Sequence, residues 1–362
     1  MRTKNLIIAL VIVSFLFPNT LGQKQQQYVY NLSYRFENSG SINIELLPSD
    51  ASIPLFMNTT WQNVRLEEVD EEYSVKIIDV DNNKGAVVAV DRVLPPSQEI
   101  SFSAIYKITS MEREVPSFDL EEAESFDSIP QKLVDEYCIS TETFPIDNQI
   151  FFNVASNIVS EEDSVLEAVT KIVEYITNNI SYHNFEVPQY PNKTLENRIG
   201  DCDDQSILLI TMCRSLNIPA YLQVGIYIHP IIDDHDTSWD DHLVNNADGV
   251  GWHGWAHVYI PPWGWVPVDL TLTSAKSGLE VLKSAPEYGS NIIPALNVSK
   301  QPYIGETIAT RDRIIQSTLY VTVSDEAHIL HRADNPFQNY LLLGLGAALL
   351  IAIYFMFRLS SR

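Results

Sequence analysis

The spacing of apolar residues changes once along this chain, and the change sets the fold class. Between residues 27 and 115 they come in short, roughly alternating runs: "YVYNLSYRF", "SINIELL", "YSVKIIDV", "GAVVAV" and "EISFSAIYKI". Turn formers separate these runs, in "ENSG", "DNNKG" and "PPSQ". β-Branched and aromatic residues at period two between turns predict strands. Five strands in about 90 residues predict an all-β sandwich over 23–115. An acidic bridge, "SFDLEEAESFDS" (116–128), follows and reads as a solvated linker. Beyond it the period becomes helical, with Val165, Val169, Ile172, Ile176 and Ile180 on one stripe. Helical and strand signals then mix over 129–285. The expectation is therefore an all-β domain followed by a mixed one. Residues 286–338 read as an irregular stalk, in which "STLYVTVS" (317–324) predicts one further strand.

The two ends differ from the rest. Arg2 and Lys4 precede a twelve-residue apolar run, Leu6–Phe17, then Pro18 and the small residues Thr20 and Gly22. Such a run makes about 18 Å of helix, too short for a bilayer core of about 30 Å. It reads as a signal peptide over 1–22. At the other end, Tyr340–Phe357 gives about 27 Å of apolar helix, and Arg358 and Arg362 follow. This predicts one membrane helix over 339–358 and a cytoplasmic tail at 359–362. The expectation is a single-pass cell-membrane protein with its N-terminal part outside. Asn-x-Ser/Thr sequons at Asn31, Asn58, Asn179, Asn192 and Asn297 fit that placement. The net charge of −24 over 362 residues excludes nucleic acid, which needs a basic footprint.

The chemistry starts at "GDCDDQS", 200–206. Asp201 is an N-cap, with Asp204 three residues on, for a helix through "CDDQSILLITMCRSL" that breaks at "NIP". Cys202 then sits in the first turn, where unpaired N–H groups and the helix dipole favour a thiolate. The aspartates oppose it, so a cation must help. Cys213 is 11 residues further along the same helix, about 16 Å away, too far for a disulfide with Cys202. Pairing of Cys138 with Cys202 or with Cys213 stays open.

The cation can come from about 50 residues on. In "WHGWAHVYI" alternation puts His253, Trp255, His257 and Tyr259 on one strand face. "PPWG" turns the chain into "WVPVD", ending at Asp269. A His–Asp pair on adjacent strands would orient an imidazole to take the thiol proton. An even-length turn in a regular hairpin would put His253 and Asp269 on opposite faces. The pairing therefore requires an odd turn or a bulge.

The stretches "GDCDDQSILLITMCRSLNIPAYLQVG" and "WHGWAHVYIPPWGWVPVDLT" resemble the transglutaminase-like superfamily of papain-like cysteine enzymes, over about residues 130–275. The resemblance implies an α+β, papain-like core, with a cysteine-bearing helix packed on an antiparallel sheet, and a Cys202–His253–Asp269 triad. His257 is the alternative base. Tyr182 and the Cys202 N–H are implied as oxyanion donors, and Asp203, Asp204 and Trp255 as supporting groups. It also implies acyl transfer at amide bonds of a protein or peptide, to water in a peptidase or to an amine in a cross-linking transferase. A non-catalytic surface protein working through its β-domain is the rival of another class. No cofactor is expected. The acidic loop holding Asp233, Asp234, Asp236, Asp240 and Asp241 offers calcium ligands but lacks the glycine and terminal glutamate of an EF-hand.

Overall fold

The computed structural model describes residues 25–330. The signal-peptide segment, the apolar C-terminal segment and the tail lie outside them. Among the described residues no helix is long and apolar enough to cross a membrane.

The fold is mixed α/β and built on one eight-stranded sheet. In chain order its strands are β1 (Gln25–Asn38), β2 (Gln62–Val69), β3 (Glu99–Met111), β4 (Ala220–Ser238), β5 (Leu243–Ile260), β6 (Gly264–Val268), β7 (Ile292–Val298) and β8 (Leu319–Leu330). The order across the sheet is β7-β4-β5-β8-β1-β3-β2, with β6 paired to β5. All pairs are antiparallel except β5 with β8, which run parallel over 243–248 and 321–326. Among the described residues seven α-helices complete the fold: α1 (Gln131–Tyr137), α2 (Gln149–Ile158), α3 (Val165–Asn179), α4 (Pro191–Asn197), α5 (Cys202–Ser215), α6 (Gly278–Lys283) and α7 (Tyr303–Ile315).

Two expected boundaries need correction. The N-terminal strands do not form a self-contained sandwich ending at 115. β1 pairs with β8 over its length, from Gln27–Leu330 to Asn38–Leu319, so one sheet runs through both units. Short ladders at 44–45/93–94 and 52–54/84–88/73–77 accompany this part of the sheet. The segment 286–330 is likewise no stalk, since it supplies β7, α7 and β8. The expected strand at 317–324 is the first half of β8.

Two cores lie along the sheet. One gathers the buried face of α3, the whole middle of α5, and Ala220, Leu222, Ala256 and Val258. The other gathers Tyr30, Phe102 and Tyr106 with Ile226, Ile228 and Val250. On β4 and β5 these residues alternate along a single face. That face is therefore covered by helices at one end and by N-terminal β-structure at the other. The seam falls at residues 225 and 251–254.

Local signals behave as the sequence predicts. The α3 stripe from Val165 to Ile176 is fully buried, and Ser164 with Glu167 forms a capping box. α5 is apolar on every side from Ile207 to Cys213 and is enclosed throughout. Arg214 ends it from a buried position. Its guanidinium donates to the Ala220 carbonyl (2.7 Å) and the Ser299 carbonyl (3.1 Å) and lies 4.2 Å over the Phe144 ring.

Candidate active site

Cys202 is the first residue of α5, at the seam. Asp201 and Asp204 cap the helix reciprocally. The Asp204 N–H donates to Asp201 (3.3 Å) and the Asp201 N–H to Asp204 (3.2 Å). The same carboxylates accept the Phe185 N–H (3.2 Å) and the Gln189 N–H (2.6 Å), which ties the preceding loop to the helix start. The helix enters tightly over β5. A Cβ at Gly254 would lie 2.9 Å from the Asp203 Cβ, so only glycine lets the two approach.

His253 and Asp269 come together because the turn is odd. Ile260 pairs with Gly264, which leaves three residues, 261–263, in the turn. Continuing that register puts Asp269 opposite Trp255, on the face that carries His253. His253 Nε2 lies 2.6 Å from Asp269 Oδ2. Asp269 Oδ1 accepts the backbone N–H groups of Thr271 (3.0 Å) and Leu272 (2.9 Å). Both side chains are buried, at 7% and 3% exposure. With Nε2 engaged, Nδ1 is the ring nitrogen left for the thiol. Cys202 and His253 line one cleft of about 310 Å³ with Tyr182, Tyr227, Trp252 and Leu272. A larger cavity of about 810 Å³ lies elsewhere, between the acidic linker and α2–α3, and neither cysteine nor histidine lines it. The candidate site is therefore the smaller cleft.

The electrostatics revise one expectation. Cys202 is not a low-pKa thiol. Burial raises it well above the ordinary range, and the Asp203 and Asp201 charges add to this, while the Gly254 N–H hydrogen bond opposes it. Burial outweighs the benefit of the helix start. Asp203 is itself pushed well up, first by burial and then by its hydrogen bond with Asp201. Its Oδ2 accepts the Tyr303 hydroxyl at 3.0 Å. Burial and the Asp201 charge push Asp204 up to about 7. For Asp269, burial works upward, but the His253 charge and hydrogen bond and two backbone N–H groups outweigh it and hold the carboxyl below its usual range.

The other expected residues are placed as follows. Tyr182 stands on the cleft rim, 61% exposed. Burial, then the Cys202 charge, raise its phenol to about 12, so it keeps its proton and can donate. Trp255, expected as a supporting group, is enclosed behind His253, and its indole N–H donates to Glu287 (2.6 Å). His257 does not line the cleft. Its Nε2 lies 2.6 Å from Glu287, so it is not placed to act as the base. Asp233, Asp234 and Asp236 lie on the β4 ladder, and Asp240 and Asp241 occupy the hairpin turn with left-handed backbone (φ 53° and 67°). They do not converge as a set of ligands. Among the described residues the only close set is Asp201, Cys202 and Asp203, which would engage the thiol itself. All three cysteines are free, so neither pairing of Cys138 is made. Sequence reading missed Glu287 and Arg113, which no local motif marks.

This geometry defines a class: a cysteine at a helix start facing a histidine–aspartate pair on a sheet. Residues 153–270 match the model of the transglutaminase-like superfamily, so the chain carries a transglutaminase-like domain. No curated protein matches the sequence. Among solved structures, a candidate cysteine protease from Cytophaga hutchinsonii is similar with a TM-score of 0.50 at 13% identity, over 85% of this chain and 90% of that one. Red sea bream transglutaminase matches with a TM-score of 0.29 at 11% identity, over 71% of this chain and 49% of that one. EGTA-treated LapG from Legionella pneumophila matches at 0.28 and 15%, over 53% and 99%. The first similarity covers more of the chain than residues 153–270, so the likeness of fold extends beyond that segment. Identity this low carries fold and leaves activity to the site.

Proposed function

We propose that this protein is a cysteine-dependent acyl-transfer enzyme that cleaves amide bonds of proteins or peptides by hydrolysis, at or outside the cell surface. The observation that carries the reading is the buried His253–Asp269 pair, 2.6 Å apart, in one cleft with Cys202. The terminal apolar segments and the sequons support the location and a membrane anchor.

The thiol resists ionisation, so His253 acts as a general base during attack rather than holding a preformed ion pair. Nδ1 takes the proton as Sγ adds to the carbonyl carbon. Asp269 keeps the Nε2–H tautomer and stabilises the imidazolium that forms. The Cys202 N–H and the Tyr182 hydroxyl are the donors for the oxyanion. On collapse the C–N bond breaks, and His253 protonates the departing amine. A water, deprotonated by His253, then attacks the thioester, which releases the acid and restores the thiol. An amine in place of water would give cross-linking through the same residues.

The test incubates the full-length protein with an unfolded polypeptide and reads new α-amino termini, free ammonia and cross-linked species by mass spectrometry. New termini that vanish in Cys202→Ala are expected. Ammonia release with cross-links and no new termini would replace hydrolysis by transfer. Wild-type-like products from Cys202→Ala would refute the acyl-enzyme route.

A further inference from the structure

A buried cluster behind His253 has no part in the chemistry described so far. Glu287 sits in the short turn Pro286–Tyr288 and is 2% exposed. Its Oε2 accepts the Trp255 indole N–H and pairs with His257 Nε2, each at 2.6 Å. Its Oε1 accepts from Arg113 Nη2 at 2.7 Å. Arg113 is itself fixed. Its Nε and Nη2 donate to the Glu287 carbonyl (3.2 and 3.0 Å), its backbone N–H donates to the Tyr288 carbonyl (2.7 Å), and its guanidinium lies 4.0 Å over the Trp61 ring. On the far side of the cluster the Trp255 ring lies nearly parallel to the His253 ring, 5.8 Å between centroids and 15° between planes. None of Glu287, Arg113, Trp255 and His257 lines the cleft, so none touches a substrate there.

We propose that Glu287, with Arg113 as its counter-ion, is a positioning residue for His253. The proposal rests on His253 being the general base. Trp255 has a single polar atom, and the Glu287 carboxylate holds it. A pinned indole gives the imidazole a fixed wall to stack on, so the carboxylate sets the plane in which Nδ1 meets the thiol. Arg113 makes this affordable by pairing a carboxylate that is otherwise buried among apolar rings. Because Arg113 follows β3 and Trp61 precedes β2, the N-terminal part of the sheet bears on the base through the same cluster.

A carboxylate at 287 is required for this, and an amide cannot replace it. Glutamine offers one oxygen and one NH₂ to a site where Trp255 and Arg113 both donate and cannot accept. Whichever way the amide turns, its NH₂ meets one of these donors. His257 can adapt by changing tautomer, since its Nδ1 has no partner. Trp255 cannot.

The experiment measures the iodoacetamide alkylation rate of Cys202 at pH 7 in the full-length protein. The variants are Glu287→Gln, His253→Ala and the pair combined, with circular dichroism to confirm folding. Misplacing a reacting group by about an ångström costs up to about a hundredfold, so Glu287→Gln is expected to slow labelling about tenfold to a hundredfold. The same substitution on top of His253→Ala is expected to add nothing. A folded Glu287→Gln protein that labels at the wild-type rate would overturn the proposal. So would equal slowing with and without His253, because Glu287 would then not act through the base. If Glu287→Gln does not fold, Trp255→Phe, which keeps the ring and deletes the N–H, is judged by the same two criteria. Wild-type labelling in His253→Ala alone would overturn the acyl-transfer reading as well. Wild-type labelling in Glu287→Gln beside a slow His253→Ala overturns the positioning role alone.

Discussion

Asp269→Asn separates the charge of the pair from its geometry. An asparagine could serve a histidine if its amide oxygen faced the ring. Here Oδ1 already accepts the Thr271 and Leu272 N–H groups, at 3.0 and 2.9 Å. With the amide oxygen kept on those two donors, the NH₂ faces His253 Nε2. The imidazole must then accept at Nε2 and carry its proton on Nδ1, which cannot take the thiol proton. The opposite orientation leaves two part-buried backbone donors unpaired, at about 0.5–1.5 kcal/mol each, roughly half the cost for a fully buried donor. The inactive tautomer is therefore favoured by about 1–3 kcal/mol, or roughly 5-fold to 150-fold in population at about 1.4 kcal/mol per decade. Cys202 alkylation at pH 7 should fall by that range, and ¹⁵N spectra of His253 should show the proton moved from Nε2 to Nδ1. A labelling rate within about threefold of wild type, with Nε2 still protonated, would refute the reasoning.

Two further predictions follow from the carboxylates. The Asp203 charge stands next after burial among the causes that raise the Cys202 thiol, so Asp203→Asn should speed Cys202 alkylation at pH 7; a rate unchanged from wild type would show that Asp203 does not oppose the thiolate. Asp269 and Glu287 have folded-state pKa values held below their ordinary values. The stability they contribute is therefore fully present above the ordinary carboxylate range of about 4 and is lost as pH falls through their depressed folded values. Thermal unfolding followed from pH 7 to 2 should show a loss below about pH 4 that is smaller in Asp269→Asn, and an unchanged acid slope in that variant would contradict the assignment.

What the sequence revealed divides along the range of the interactions. The Asp201–Asp204 cap, the α3 stripe and the His253–Asp269 hairpin each lie within a short span, where periodicity and turn length act directly. The odd turn at 261–263 met the one geometric condition the pairing required. The raised Cys202 thiol was not legible, because a helix start can be recognised from sequence and the burial around it cannot. The union of the two units into one sheet was also hidden. It depends on β1 meeting β8, as in Asn31 opposite Glu326, and no local pattern marks such a partner. Glu287 was invisible for the same reason. It sits 30 residues after His257, in a stretch that reads as irregular, and gains its meaning only from three donors delivered by other elements.

The central claim is that a resistant thiol is made reactive by His253. The most direct test is the alkylation rate of Cys202 from pH 5 to 9, site-mapped by mass spectrometry, in wild-type protein and in His253→Ala. The wild-type thiol should label near neutrality, well below the ordinary thiol pKa of about 8.5. In His253→Ala that labelling should be lost and return only at the alkaline end. A Cys202 that stays inert across the whole range, or that labels identically without His253, would contradict it.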